Sequence, residues 1–104
     1  MPERRITYAE ALREAQQQAL AEFPDLLVMG LGSTDPGGVF GSTKDLHQSF
    51  PGRVYDLPLS EEGTTGIAHG AVVAGMRAIL VHQRVDFLLV AMNQIVNHAA
   101  KWRY

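Results

Sequence analysis

The stretch from Leu57 to Met76, LPLSEEGTTGIAHGAVVAGM, sets two adjacent glutamates ahead of four glycines. Ser60 stands where a helix N-cap is favoured, and the acids follow it in what would be the first helical turn. A strand-like segment, RVYDLP over 53–58, precedes the stretch, and another, AILVHQ over 78–83, follows it. A helix between two short strands is the repeating unit of an α/β sheet, so this stretch predicts that fold class.

The N-terminal part continues the same alternation. The segment 6–23, ITYAEALREAQQQALAEF, has apolar residues at helical spacing, and Thr7 with Glu10 forms a capping-box pattern at its start. The run LLVMGL over 26–31 is short and continuously apolar, as expected for a strand buried on both faces. These segments predict a helix followed by the first strand of the sheet.

Two further helices complete the predicted order. A short one over 43–50, TKDLHQSF, would be capped by Ser42 or Thr43, and a final one over 87–102 would be capped by Asp86. Helices and strands then alternate along the chain, which favours a mostly parallel sheet with right-handed crossovers. Ligands of such sheets bind at the carboxyl ends of the strands, where the glutamates lie.

Composition narrows the class of protein. The chain has 104 residues, enough for one modest domain, and its formal charge of −2 gives no basic excess for nucleic acid. It has no cysteine, which excludes disulfides, thiolate catalysis and cysteine metal sites and fits a reducing cytoplasm. The longest apolar stretch, FLLVAM, is far too short to span a bilayer. We therefore expect a soluble cytoplasmic domain.

The glycines admit two interpretations. A dinucleotide fingerprint needs G-x-G-x-x-G, whereas the spacing over 63–75 is G-x-x-G-x-x-x-G-x-x-x-x-G. The segment GGVFGSTK over 37–44 resembles a phosphate-binding loop only loosely, because its lysine follows the Ser-Thr pair. Glycine inside a helix costs about 1 kcal/mol against alanine, and close packing of the helix would offset that cost. We predict a packing surface.

The glutamates and histidines also leave alternatives open. Glu61 and Glu62 could be first-turn acids stabilised by the helix dipole, worth about 0.3–1 kcal/mol each. Alternatively, one carboxyl could face a cleft at the end of a strand and share a proton with a ligand nitrogen. His82, at the end of the third strand, is better placed for a ligand than the other histidines, with a structural role as the alternative. No histidine pair has the spacing of a metal site on one helix.

Two motifs reveal a resemblance. The segment 55–102 resembles the β subunit of thiamine-diphosphate-dependent 2-oxoacid dehydrogenases, the family of the pyruvate, branched-chain and acetoin enzymes. Members carry D-x-P-I-S-E-x-G-x-x-G-x-A-x-G-A-A-x-x-G, close to YDLPLSEEGTTGIAHGAVVAG here. Their later D-Q-[IV]-x-N-x-A-A-K is matched by NQIVNHAAK over 93–101. The resemblance implies a partial transketolase-like pyrimidine-binding domain over 1–104, roughly the N-terminal third of a typical β subunit, and therefore a fragment.

The resemblance also implies a site. Thiamine diphosphate would bind between this domain and the pyrophosphate-binding domain of an α-type partner subunit in a hetero- or homo-oligomer. Glu61 matches the glutamate that hydrogen-bonds N1′ of the aminopyrimidine and activates the cofactor, whereas Glu62 falls at a variable position. Phe87 aligns with an aromatic that packs on the pyrimidine ring. The partner subunit would hold most of the magnesium and diphosphate, and a small 2-oxoacid would be the substrate.

The chain departs from the family pattern at two places. After the first strand, Leu31 and Gly32 stand where many members have acidic residues. After the third strand, VHQRVDF replaces a segment in which members commonly have acidic and aromatic residues. These departures support a second hypothesis, in which a truncated or diverged pyrimidine-type domain acts as a non-catalytic module for subunit interaction.

Overall fold

The sheet has three parallel strands in the order β2-β1-β3. A computed structural model describes residues 3–102, with β1 at Leu26–Gly30, β2 at Val54–Asp56 and β3 at Arg77–Leu80. Val28, in the centre of β1, pairs with Val54 on one side and with Ile79 on the other. The prediction of an α/β fold with a parallel sheet is confirmed.

Helices flank the sheet and alternate with its strands. They are α1 (Tyr8–Glu22), α2 (Leu46–Ser49), α3 (Glu61–Val73), α4 (Val85–Leu89) and a π-helix (Gln94–Ala99). At the start of α1, Thr7 Oγ1 accepts from the Glu10 amide at 3.1 Å, and the Glu10 carboxylate accepts from the Thr7 amide at 2.8 Å. The predicted capping box is therefore confirmed. None of the helices in the described part of the chain is both long enough and apolar enough to cross a membrane.

The hydrophobic core lies where α1, α2, β1 and β2 meet. Its members are buried aliphatic side chains, contributed by all four elements: Leu20, Leu26, Val28, Leu46 and Val54. Strand β3 is less covered, because its side chains from Ala78 to Leu80 are only half-buried. The side of the sheet formed by β1 and β2 is therefore better packed than β3. Helix α3 packs against the more open β3.

The predicted caps of the short helix are wrong. Helix α2 begins at Leu46, and its N-cap residue, Asp45, has a left-handed backbone (φ 60°) and makes no side-chain capping bond. The Thr43 hydroxyl instead accepts from the Val39 amide at 2.9 Å, and the Ser42 hydroxyl donates to the Val39 carbonyl at 2.6 Å. Both hydroxyls therefore bond to Val39 and help to close the preceding loop.

The predicted single C-terminal helix is also wrong. The backbone tightens after α4, where the Val90 amide donates to Phe87 and the Ala91 amide to Leu88, three residues back. Ala91 is fully buried at this point. Asp86 lies inside the first turn of α4, and Arg84 occupies the N-cap position. Helical spacing in the sequence does not distinguish one continuous helix from two segments joined by such a turn.

The glycines of α3 play different parts. A Cβ on Gly66 would lie 3.3 Å from Gln94 Oε1, so the π-helix approaches α3 closely there. A Cβ on Gly70 would meet nothing within 4 Å. Gly75 follows the helix with φ +101°. Glycine adopts this conformation readily because it has no Cβ to clash with the backbone. The predicted packing role therefore holds at Gly66, whereas Gly75 ends the helix and Gly70 faces open space.

Candidate functional site

A cavity opens at the carboxyl end of the sheet. Three segments line it: the end of β1 with its loop, the turn entering α3, and the chain from the end of β3 to α4. The lining residues are Gly30, Leu31, Pro58, Leu59, Ser60, Glu61, Thr64, Val81, His82, Gln83 and Phe87. This is the edge at which parallel α/β sheets bind their ligands, so the cavity is the candidate site.

Glu61 lies in the first turn of α3 and lines the cavity. Ser60 occupies the predicted N-cap position, but its side chain makes no capping hydrogen bond. The first turn closes through the Thr64 amide, which donates to the Ser60 carbonyl at 2.8 Å. A helix N-terminus favours a negative group, so the helix supports a carboxylate at this place.

Apolar side chains line the same cavity as Glu61. Leu31 comes from the loop after β1, Leu59 from the turn before α3, and Phe87 from α4. Phe87 is 39% exposed, so part of its ring remains available to a ligand. The structure thus brings Glu61 and Phe87, both predicted from the sequence, to one cavity. A carboxylate beside apolar and aromatic surface suits a flat heterocycle with a nitrogen at its edge.

The loop after β1 is held by hydrogen bonds to both neighbouring strand ends. The Gly32 amide donates to Asp56 Oδ1 at 2.7 Å, and Gln83 Nε2 donates to the Leu31 carbonyl at 3.4 Å. Gly32 has φ +82°, which a residue with a side chain adopts only with strain. Of these two loop residues, Leu31 lines the cavity with an apolar side chain, and Gly32 is held by its hydrogen bond to Asp56.

Glu62 has a partner that the sequence did not reveal. Asn93 Nδ2 donates to the Glu62 carboxylate at 2.8 Å, and Asn97 Nδ2 donates to Asn93 Oδ1 at 2.9 Å. Glu62 is therefore more than a first-turn acid, because it ties the start of α3 to the turn before the π-helix. The sequence shows only that Asn93 stands where the second motif has an aspartate, and nothing in it links that position to Glu62.

The Glu62–Asn93 pair gives a prediction about stability. Asn93→Asp alone would set two carboxylates against each other, and we expect a loss of about 1 kcal/mol in the free energy of unfolding. Adding Glu62→Gln restores one amide donor and one carboxylate acceptor with the roles exchanged, so the double variant should recover most of the loss. Urea unfolding of the wild type, both single variants and the double variant measures the coupling. A double variant no more stable than Asn93→Asp would contradict the pairing.

The histidines make different contacts. His82 Nε2 is 3.3 Å from Thr65 Oγ1, and His69 packs edge-to-face against Trp102 with 5.5 Å between ring centroids. Within residues 3–102, no group of three or more histidine, aspartate and glutamate side chains is arranged to hold a metal ion. Of the four histidines, His82 lines the candidate site.

Comparison with known proteins agrees with this geometry. Residues 4–104 match the family model described as "Transketolase, pyrimidine binding domain", and the chain belongs to that family. It is 39% identical over 102 residues to the mitochondrial 2-oxoisovalerate dehydrogenase subunit beta of Chaetomium thermophilum. It is 40% identical over 100 residues to the pyruvate dehydrogenase E1 component subunit beta of Rickettsia bellii, and 37% identical over 100 residues to the 2-oxoisovalerate dehydrogenase subunit beta of Bacillus subtilis.

These alignments cover the chain far more fully than they cover the relatives. They include 97%, 95% and 95% of this chain, respectively, but only 22%, 31% and 31% of the relatives' own lengths. The chain is thus homologous to the N-terminal part of E1 β subunits of 2-oxoacid dehydrogenases. The resemblance read from the two motifs is confirmed at that level.

Proposed function

We propose that this chain is part of the β subunit of a thiamine-diphosphate-dependent 2-oxoacid dehydrogenase and supplies the pyrimidine side of the cofactor site. The observation that carries the proposal is the shared cavity of Glu61 and Phe87 at the carboxyl end of the sheet. The names of the relatives support the reaction class, oxidative decarboxylation of a 2-oxoacid.

Each side chain has a role in this proposal. Glu61 accepts and returns a proton at N1′ of the aminopyrimidine, as a carboxyl near a ligand nitrogen can do. Phe87 packs against the ring, and Leu31 adds apolar surface beside it. When bound, thiamine diphosphate supplies the nucleophilic carbon and the electron sink that decarboxylation requires. The residues present fit the pyrimidine, because they combine one carboxyl with an apolar wall.

The proposal includes a partner. In this proposal, an α-type subunit holds the diphosphate and most of the magnesium. We place the assembly, a hetero- or homo-oligomer, in the cytoplasm on the basis of the cysteine-free composition. The test is to combine a longer protein that contains this chain with an α-type subunit, thiamine diphosphate, Mg²⁺ and an artificial electron acceptor, which takes up the two electrons of the oxidative step. Release of carbon dioxide from pyruvate or a branched 2-oxoacid supports the function, and no release from either contradicts it.

A second candidate function rests on the loop after β1. Leu31 and Gly32 lack the acids of many family members, and the φ of +82° at Gly32 makes a side chain there costly. A domain that has lost cofactor contacts could still assemble with a partner subunit, as a non-catalytic interaction module. The two functions differ in one observable, because only the first gives 2-oxoacid turnover that depends on Glu61.

The isolated chain should bind thiamine diphosphate weakly or not at all. It supplies the pyrimidine side alone, and the diphosphate contributes much of the charge that a complete site would recognise. Isothermal calorimetry with Mg²⁺ present should show a Kd well above about 1 μM, which corresponds to less than ~8 kcal/mol of binding free energy. A submicromolar Kd for the chain alone would overturn this expectation, and a Glu61→Ala variant shows whether any such binding uses the candidate site.

A further inference from the structure

The side chain of His82 contacts helix α3. This residue follows β3 and lines the same cavity as Glu61. Its Nε2 lies 3.3 Å from the hydroxyl of Thr65, which is only 8% exposed and lies one turn after Glu61 on α3. The imidazole is thereby joined to the helical turn that carries the candidate acid.

The direction of this hydrogen bond follows from counting protons. A threonine hydroxyl has one proton to donate and two lone pairs with which to accept. Thr65 Oγ1 is 2.7 Å from the Glu61 carbonyl oxygen, which can only accept, so its proton is used there. Thr65 must then accept from His82, and Nε2 carries the proton. In a neutral imidazole with a protonated Nε2, Nδ1 is a hydrogen-bond acceptor.

Nδ1 is free to meet a ligand. Among residues 3–102 the structure gives it no hydrogen-bond partner, and it is not one of the buried polar atoms that lack one. We propose that Thr65 fixes His82 as the Nε2–H tautomer and that His82 Nδ1 accepts a hydrogen bond from an N–H group of the ligand, such as the amino group of an aminopyrimidine. The tautomer stands on the geometry alone, whereas the choice of aminopyrimidine rests on the proposed function.

Thr64 offers a matched comparison. It is also buried, and its hydroxyl also donates to the Glu61 carbonyl, at 3.3 Å. Such bonds to a carbonyl one turn back are common for threonine in helices and by themselves say nothing about a site. His82 bonds to Thr65 and not to Thr64. A change at Thr64 therefore tests the effect of losing a bond within the helix, whereas a change at Thr65 also removes the bond to His82.

The tautomer can be read by nuclear magnetic resonance of the ¹⁵N-labelled chain, in buffer alkaline enough to keep imidazoles neutral. We expect the His82 ring to carry its proton on Nε2 in the wild type, in Thr65→Ser and in Thr64→Val. In Thr65→Val the ring should become a mixture of tautomers. A wild-type ring protonated on Nδ1, or a Thr65→Val ring unchanged from the wild type, would overturn the proposal. If Thr65→Val does not fold, the wild-type tautomer and the ligand titration still decide.

The ligand contact is tested by titrating the same sample with 4-aminopyrimidine and, separately, with pyrimidine, which lacks the amino group. We expect the His82 Nδ1 resonance to shift with the first ring and to stay in place with the second. Shifts at Glu61 and Phe87 without one at His82 would overturn this inference and leave the proposed function standing. No shift at any of the three residues would count against both the inference and a pyrimidine site in this cavity.

Discussion

Replacing Glu61 by glutamine should lower 2-oxoacid turnover by about 10²–10⁴-fold, the usual contribution of a positioned general acid or base. The amide keeps the size and much of the polarity of the side chain but cannot exchange a proton with a ligand nitrogen. Affinity for thiamine diphosphate should change much less than turnover, because Phe87 and the apolar wall remain. The measurement is steady-state decarboxylation by the longer protein assembled with its α-type partner, together with cofactor titration.

Glu62→Gln is the matched control. It makes the same carboxylate-to-amide change one residue later, and its oxygen can still accept from Asn93. Glu62 does not line the cavity, so we expect this variant to keep nearly all of its activity. Unchanged turnover in Glu61→Gln would contradict the proposed role of Glu61 in proton transfer. Equal losses in both variants would mean that negative charge at the start of α3 matters, and not the position of one carboxyl.

The largest effect on stability should come from Gly30→Ala. Gly30 is buried at the end of β1, and a Cβ there would lie well under 3.0 Å from the Val81 carbonyl oxygen. That oxygen belongs to the backbone and cannot rotate away as a side chain could. The Val81 amide also donates to the Met29 carbonyl at 2.9 Å, which holds this segment against β1. The strand ends would have to separate, so we expect a loss of about 1–3 kcal/mol in the free energy of unfolding. Urea denaturation measures it.

Gly37→Ala provides the comparison. Gly37 is exposed, has no positive φ, and a Cβ there would meet nothing within 4 Å. The change should therefore alter stability by no more than about 0.5 kcal/mol in either direction. If Gly30→Ala proved as stable as Gly37→Ala, the close approach of β1 to the segment after β3 would not exist in solution.

The sheet and the place of the site could be predicted because their signals are local or follow from topology. Short apolar runs marked β1 and β3, and the Thr7–Glu10 pattern marked the start of α1. Parallel strands bring their carboxyl ends to one edge, so the position of Glu61 after β2 already located it near a ligand site. The family motif added Phe87, which helical spacing alone would have assigned to packing. The structure places both side chains at one cavity, and their chemical roles stay predictions.

Other features depend on contacts that the sequence patterns did not reveal. The hydroxyl of Thr43 closes a loop and does not cap α2, because Val39 folds back onto it. Ala91 is fully buried at the turn after α4, and helical spacing in the sequence continues unbroken through that turn. The bond between Glu62 and Asn93 joins the two family motifs across the fold. The Glu62–Asn93 bond joins residues 31 positions apart, and tertiary contacts of this kind can override local propensity.

The order of the strands bears on how the chain folds. The central strand, β1, comes first in the sequence, and both of its partners, β2 and β3, come later. No strand pairing can form until a long intervening segment has been closed into a loop, at an entropic cost that precedes any gain from the sheet. During synthesis, β1 therefore stays unpaired until the segments that contain Val54 and then Ile79 have been made. We expect slow folding, with β1 exposed to association with other chains in the interval.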